Sequence, residues 1–360
     1  MKILFISGRE STYTRNAVIL KGLKDNGVEI IKCTDESKSY FSRYLKIILK
    51  FLRNDLRDFD LIFIGFFGQP LVPIIKKFSN KPIIFDAFLS AYDTMCFDRK
   101  KFSPNSVAGK FFYWLDRHSC ELADKVILDS DVHINYFVNT FGLDRTKFER
   151  LVVGADDSIF FPISESECLN GKFNVFYYGS YLPLQGIEYI IKAAKQLEKD
   201  EDIQFKLVGN GIEHDKIVKL AQELDIKNVE FINWIPYENL PLEISKADIC
   251  LGGHFSDVDK SKRVIAGKTF QFISMKKPVI VGDNPANREL FENGQNALLV
   301  EHANSNALAD AILKLKEKKN LRLHIAEEGY RTFKSRCTPN IIGKEVLIFS
   351  LNSLQCKALL

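Results

Sequence analysis

No run in this 360-residue chain reaches the roughly 18 apolar residues that a membrane-spanning helix requires, so no such helix is expected. The opening MKILFIS is apolar but short, and Arg9 and Glu10 follow at once. It reads as a first buried strand and not as a secretion signal. Paired cysteines are missing too. The 7 cysteines are scattered, odd in number and never spaced Cys-x-x-Cys, which argues against a disulfide framework and a zinc site. They read as small apolar fillers in a reducing compartment, most simply the cytoplasm. A large excess of one charge is also absent. The net charge is only +4, so a nucleic-acid partner is not indicated and any basic function has to come from local clustering. No Gly-x-Gly-x-x-Gly follows the first strand, which weakens a nicotinamide-binding reading, and there is no low-complexity tract.

The composition, 46% hydrophobic and 27% charged, is that of an ordinary globular protein, and the length favours two domains. Short apolar runs alternate with amphipathic segments along the whole chain. Strands are expected at Ile3–Ser7, Val28–Lys32, Leu61–Phe66, Pro82–Phe85, Lys125–Leu128 and Glu149–Val153. A second set is expected at Asn174–Tyr178, Gln204–Val208, Val229–Ile232, Ile249–Leu251, Pro278–Val281 and Ala297–Val300. Strands buried on both faces and separated by helices imply parallel sheets with right-handed crossovers. The fold class is therefore α/β, with two doubly wound Rossmann-like domains and a boundary near Ala155–Asn170. Ligands of such sheets bind at the carboxyl ends of the strands.

The segment from Asp248 to Val281 carries the most chemistry. Strand Ile249–Leu251 is followed by a polar loop with Lys260, Lys262, Arg263 and Lys268, and Gly267 opens an amphipathic helix. A helix start offers unpaired N–H groups and a positive dipole to an anion. Four cations beside it suit an anion with more than one charge, such as a diphosphate; the plain alternative is a solvated face.

The second half contains, in order, Tyr178-Gly179-Ser180 with Gln185-Gly186, Leu207-Val208-Gly209-Asn210-Gly211, Val229-Glu230-Phe231 and Ile235-Pro236-Tyr237-Glu238. It continues with Ala247-Asp248, Lys277-Pro278-Val279-Ile280, Glu289-Leu290 and Asn293-Gly294-Gln295-Asn296-Ala297-Leu298. In order and spacing these resemble the family 4 glycosyltransferases of the GT-B fold, well over residues 150–335 and weakly before. The resemblance implies two parallel sheets facing a central cleft. Residues 1–160 would be the acceptor-side domain and 161–335 the nucleotide-sugar domain, with helix and tail 336–360 packing back on the first. It implies a metal-independent hexosyltransferase that moves a sugar with retention from a UDP- or GDP-type donor, with no other cofactor. The acceptor would be a glycan or a lipid-linked hydroxyl in glycan, glycolipid or cell-surface polysaccharide synthesis. The departures are specific. The usual Arg and Lys after the first strand of the second domain are Ser180 and Gln185, and the usual two glutamates are Arg263 and Gln271. Ala266-Gly267-Lys268 matches a variant turn, so Arg263 and Lys268 would replace the lost diphosphate clamp. The loss of both acids keeps open a silent nucleotide-sugar-binding or scaffold protein, and a GT-B epimerase or hydrolase.

The expected donor contacts are Gly8, Arg9, Gly179, Ser180, Gly209, Asn210, Trp234, Ile235, Gly267 and Gln271, with Asp93, Arg263 and Lys268 as catalytic groups. Gly8-Arg9 also reads as a plain turn, Gly209-Asn210 as a structural loop and Trp234 as core. Asp93 lies with Asp86, Asp98 and Arg99 in a loop after the fourth strand, where acids would contact donor hydroxyls or position an acceptor. Asp257-Val258-Asp259 has the form of a metal-binding pair, but Asp129-Ser130-Asp131 repeats it, and no metal is expected. A helix over Tyr40–Arg57 carries Arg43, Lys46, Lys50, Arg53 and Arg57 as one basic stripe. It reads either as an ordinary domain helix or as an attachment to anionic lipid at the inner face of the cell membrane.

Overall fold

The computed structural model describes residues 1–53, 58–163 and 171–358, without the side chains of 355–358. Arg57 and residues 164–170 of the expected boundary lie outside the described residues. The chain divides into two compact units, Met1–Gly154 with Thr338–Leu360, and Ala155–Cys337.

Unit 1 runs β1 (Lys2–Ser7), α1 (Thr14–Asp25), β2 (Glu29–Cys33), α2 (Tyr40–Arg53), β3 (Leu61–Gly65) and α3 (Leu71–Phe78). It continues with β4 (Ile83–Asp86), α4 (Val107–Leu122), β5 (Lys125–Leu128), α5 (Asp131–Phe141) and β6 (Phe148–Arg150). Its strands pair in parallel in the order β2-β1-β3-β4-β5-β6. Unit 2 runs β7 (Phe173–Tyr178), α6 (Ile187–Gln196), β8 (Ile203–Val208), α7 (His214–Glu223), β9 (Val229–Ile232), α8 (Leu240–Ser245) and β10 (Ile249–Gly253). Then come α9 (Gly267–Ser274), β11 (Val279–Gly282), α10 (Pro285–Arg288), β12 (Leu298–Val300), α11 (Ser305–Glu317) and α12 (Lys319–Arg336). Its parallel order is β12-β11-β10-β7-β8-β9.

The apolar runs explain the layering. Every residue of β3, β4 and β11 is buried, as expected of central parallel strands covered by helices on both faces. All the expected strands are present, with ends shifted by a residue or two. The largest difference is at Glu149–Val153, where only Phe148–Arg150 is strand. The carbonyls of Leu151 and Val152 turn instead to Arg15 Nη1, at 2.8 Å each.

After unit 2 the chain returns to unit 1 as α13 (Pro339–Ala358), which packs along α1. The approach is close because Gly22 faces Gly343. A Cβ on Gly22 would lie 1.9 Å from the Pro339 carbonyl oxygen, and one on Gly343 would lie 2.0 Å from the Gly22 carbonyl carbon. Gly22→Val is expected to lower the urea midpoint, since overpacking costs about 1–3 kcal/mol. An unchanged midpoint would show that the helix pair separates without loss.

Candidate functional site

Parallel pairing sets the ends of β7, β8 and β9 side by side. Tyr178 is in register with Val208, and Val208 with Ile232. The loops after them enclose a cavity of about 400 Å³ lined by Tyr178, Gly179, Ser180, Val208, Gly209, Asn210, Asn233, Trp234, Ile235, Tyr237 and Leu240. The two glycines let these loops meet. Gly209 has φ +138°, and a Cβ there would stand 1.9 Å from the Gly179 oxygen. Gly179 has φ +151°, and a Cβ there would stand 3.0 Å from Lys268 Nζ. Larger residues at either position would push the loops apart or displace the lysine.

Lys268, in the first turn of α9, is therefore directly behind the Gly179 loop. It is only 7% exposed. Its Nζ donates to Gln185 Oε1 at 2.6 Å and stands 4.2 Å from the centroid of the Tyr177 ring. The Tyr177 hydroxyl donates to the same Gln185 oxygen at 3.2 Å. Burial pulls the lysine down to about 7. It is an ammonium held by an amide and an aromatic face, an arrangement that an arriving anion would complete. The helix start beside it has no side-chain cap, leaving its N–H dipoles uncovered by any capping group. Further along α9, Gln271 Nε2 donates to the Tyr237 hydroxyl at 3.3 Å. Gln271 Oε1 and Thr269 Oγ1 are buried without a hydrogen-bond partner among the described residues.

The four-cation loop divides when folded. Lys268 points at the glycine loop. Lys262 is exposed and pairs with Asp257 at 2.8 Å, so the Asp257-Asp259 pair serves this lysine. Lys260 is buried, and Arg263 closes the short helical turn Asp259–Lys262, outside the cavity lining. His254, which follows β10, is buried with a neutral ring. Its pKa is pushed well below the usual histidine value, first by burial and then by Lys268, His302 and Lys260. Trp234 is not core: it is 74% exposed on the cavity rim, and Ile212 in the loop after β8 is 75% exposed. Unit 2 thus gathers Gly179, Ser180, Gly209, Asn210, Trp234 and Ile235 around one cavity, with Gly267, Lys268 and Gln271 on the helix behind it. Tyr178, Val208, Asn233, Tyr237 and Leu240 complete the lining, and none of the five is among the expected contacts. Asn233 and Tyr237 flank the Trp234-Ile235 pair, which was the one available signal.

Gly8, Arg9 and Asp93 belong to unit 1. The Gly8 amide donates to Phe66 at 3.1 Å, and a Cβ there would sit 2.1 Å from the Phe67 oxygen. Arg9 donates to the Tyr40 hydroxyl at 2.9 Å and pairs with Glu10 at 3.2 Å. Asp93 is 3% exposed, at the start of the π-helical segment Asp93–Asp98. Asp86 is fully buried in a two-pronged pair with Arg15, at 3.0 and 3.1 Å, so it is unavailable to a ligand. The basic stripe of α2 is broken. Arg43 turns inward, donating to the Ser37 and Gly8 carbonyls at 2.9 Å each and to Glu10 at 2.6 Å. Lys46 and Lys50 fasten the segment 34–37 through Ser37 and Thr34. The outward face of α2 is mixed, with Phe41, Leu45, Leu49 and Leu52 exposed beside Lys46, Lys50 and Arg53.

Comparison with known proteins follows the same division. Residues 163–332 match the group 1 glycosyl transferases. The chain is 25% identical over 227 residues to an uncharacterized glycosyltransferase of Methanocaldococcus jannaschii, covering 62% of this chain and 58% of that protein. It is 22% identical over 274 residues to the alpha-D-kanosaminyltransferase of Streptomyces kanamyceticus, covering 73% and 65%. It therefore spans less than two thirds of either relative's length. Among solved structures, HepE of Anabaena in complex with UDP superposes with a TM-score of 0.74 at 16% identity, over 97% of this chain and 99% of that one. The sucrose-phosphate synthase of Thermosynechococcus elongatus gives 0.78 at 14% identity, over 99% of both. Residues 163–332 thus resemble a group 1 glycosyl transferase domain, and the two six-stranded parallel sheets give the chain the GT-B fold.

Proposed function

We propose that the protein is a hexosyltransferase that moves a sugar, with retention, from a UDP- or GDP-type donor to an acceptor hydroxyl. The observation that carries this reading is Lys268, a buried ammonium without a carboxylate partner among the described residues, set behind a glycine-lined cavity of about 400 Å³. The base and ribose would occupy the cavity against Trp234, Ile235 and Asn210. The diphosphate would lie over Gly179 and Ser180, facing Lys268 and the N–H groups at Gly267, with Arg263 as a second cation. Bond cleavage at the anomeric carbon leaves the electron pair on the diphosphate. Fixed positive groups that meet this developing charge are the largest stabilising effect open to such a site, and no metal is assigned a part. Gln271 Oε1 would accept from a ribose or sugar hydroxyl. Within unit 1, Gly8 and Arg9 would meet an anionic group and Asp93 a hydroxyl. The acceptor is proposed to be a glycan or a lipid-linked hydroxyl in glycan, glycolipid or cell-surface polysaccharide synthesis, with α2 lying on the inner face of the cell membrane.

The test is a thermal-shift screen of UDP, GDP and their sugars, because stabilisation grows with ligand concentration over Kd. One nucleotide series is expected to raise the melting temperature. Trp234→Ala should weaken it by roughly fivefold, the loss of about 1 kcal/mol of aromatic contact. No shift with any nucleotide would remove the donor reading. A second reading is favoured by Arg263 and Gln271 standing where the family has acids: a silent nucleotide-sugar-binding protein. Release of free sugar from a bound donor, with or without acceptor, would exclude it.

A further inference from the structure

A second surface of unit 1 is apolar and exposed. It lies on α4 of unit 1. One face of α4 is core, with Leu115, Ser119 and Cys120 buried. On the opposite face Val107 is 88% exposed, Phe111 51% and Trp114 49%. Their spacing of four and three residues places them on one stripe. The aromatic rings form a connected band on the protein surface. Phe102 lies 5.8 Å from Phe112, Phe112 lies 5.6 Å from Phe111, and Phe111 lies 6.1 Å from Trp114. Trp114 in turn stacks on His118 at 5.0 Å. A contiguous exposed aromatic band is a departure that calls for a partner, since large apolar side chains on a monomer surface are ordinarily scattered.

The charges around the band say which partner. Arg99, Lys100, Lys101 and Lys110 are exposed around it. Of the acids on α4, Asp116 is buried and Glu121 is taken by Arg117 at 2.8 Å. An aromatic stripe with a cationic fringe is complementary to an anionic lipid surface, where rings settle at the headgroup level and lysines meet phosphates. A second copy of the chain fits less well. A two-fold contact would set this cationic fringe against itself, and like charges facing each other oppose association. The band also belongs to the layer that holds α2, since α3 packs against both helices. We propose that the α4 band inserts into the headgroup region of an anionic bilayer, as an anchor separate from α2. The proposal rests on no feature of the nucleotide cavity, which is in unit 2.

The chain has 2 tryptophans, so in a Trp234→Phe background Trp114 is the sole indole reporter. The full chain is mixed with vesicles of pure phosphatidylcholine, or of phosphatidylcholine with one third phosphatidylglycerol. A blue shift of Trp114 emission and its quenching by brominated acyl chains are expected with the anionic vesicles only. In the otherwise wild-type chain, Phe111→Ser with Trp114→Ser should lower co-sedimentation at least about tenfold. Lys100→Glu, Lys101→Glu and Lys110→Glu together should do the same while leaving the rings in place. Both variants should keep the wild-type response to nucleotide, which separates failure here from failure of the donor reading. If the protein sediments with vesicles while Trp114 emission does not move, α2 alone makes the contact and the proposal is wrong. If the serine variant instead converts a dimer to a monomer with no change in sedimentation, the band is a contact between copies. Absence of sedimentation at low salt also overturns it.

Discussion

Replacing Lys268 by methionine is expected to move two observables in opposite directions. The ligand-free protein should become more stable, and nucleoside diphosphate should bind roughly ten- to a hundredfold more weakly, as the loss of a charge-assisted phosphate contact predicts. Burial lowers the lysine from 10.5 in an exposed chain to about 7. Below pH 7 both the folded and unfolded chains carry the proton, and the folded chain bears the full cost of holding an ammonium out of water, on the order of 5 kcal/mol. Between about 7 and 10.5 the unfolded chain binds more protons than the folded one, so stability rises with pH across that window. Methionine fills similar space without charge and should abolish this rise. Ligand binding has the reverse dependence. A diphosphate needs the ammonium, so affinity should fall with rising pH above about 7, and binding should take up a proton. Calorimetry in buffers of different ionisation enthalpy reads that proton directly. Equal heats in all buffers, with wild-type affinity in the methionine variant, would take Lys268 out of the site.

Arg15→Ala should be the most damaging single change in unit 1, costing about 3–5 kcal/mol. Arg15 and Asp86 are both 0% exposed. The guanidinium holds the Asp86 carboxylate at 3.0 and 3.1 Å and the Leu151 and Val152 carbonyls at 2.8 Å each. Its plane also lies 5.0 Å from the Phe88 ring centroid. Alanine would leave a buried carboxylate and two buried carbonyls unpaired. The double variant Arg15→Met, Asp86→Leu removes the charge at both ends and should recover much of the loss, because a matched apolar pair avoids the desolvation of two ions. A urea midpoint that is as low in the double variant as in the single would show that the carbonyl contacts, and not the ion pair, dominate.

These two sites also mark how far the sequence could be read. Strands such as LIFIG and VIVG are short and apolar on both faces, so their place in parallel sheets needs no knowledge of the rest of the chain. Gly179 and Gly209 could be singled out because a glycine beside a strand end signals a close approach. The partners of long polar side chains could not. Asp86 meets a residue 71 positions away, and Lys268 meets Gln185 across 83. Arg43 has the spacing of a surface stripe but finds the Gly8 carbonyl and Glu10, more than thirty positions before it. A charge repeat on a helix reports which residues share a face, and the fold decides whether that face meets water. Trp234 shows the converse, since an indole two positions past a strand end carries no signal of which way it turns.

The return of α13 to α1 has a consequence in time. Everything between Ala155 and Cys337 must leave the ribosome before Pro339–Ala358 can cover Gly22. At about 5–20 residues per second that interval is on the order of ten to forty seconds. During it the nascent chain holds a parallel sheet whose α1 side is still uncovered, while the later-made unit can finish first. The order of maturation would then be the reverse of the order of synthesis, and the first half of the chain would be the part most in need of a chaperone.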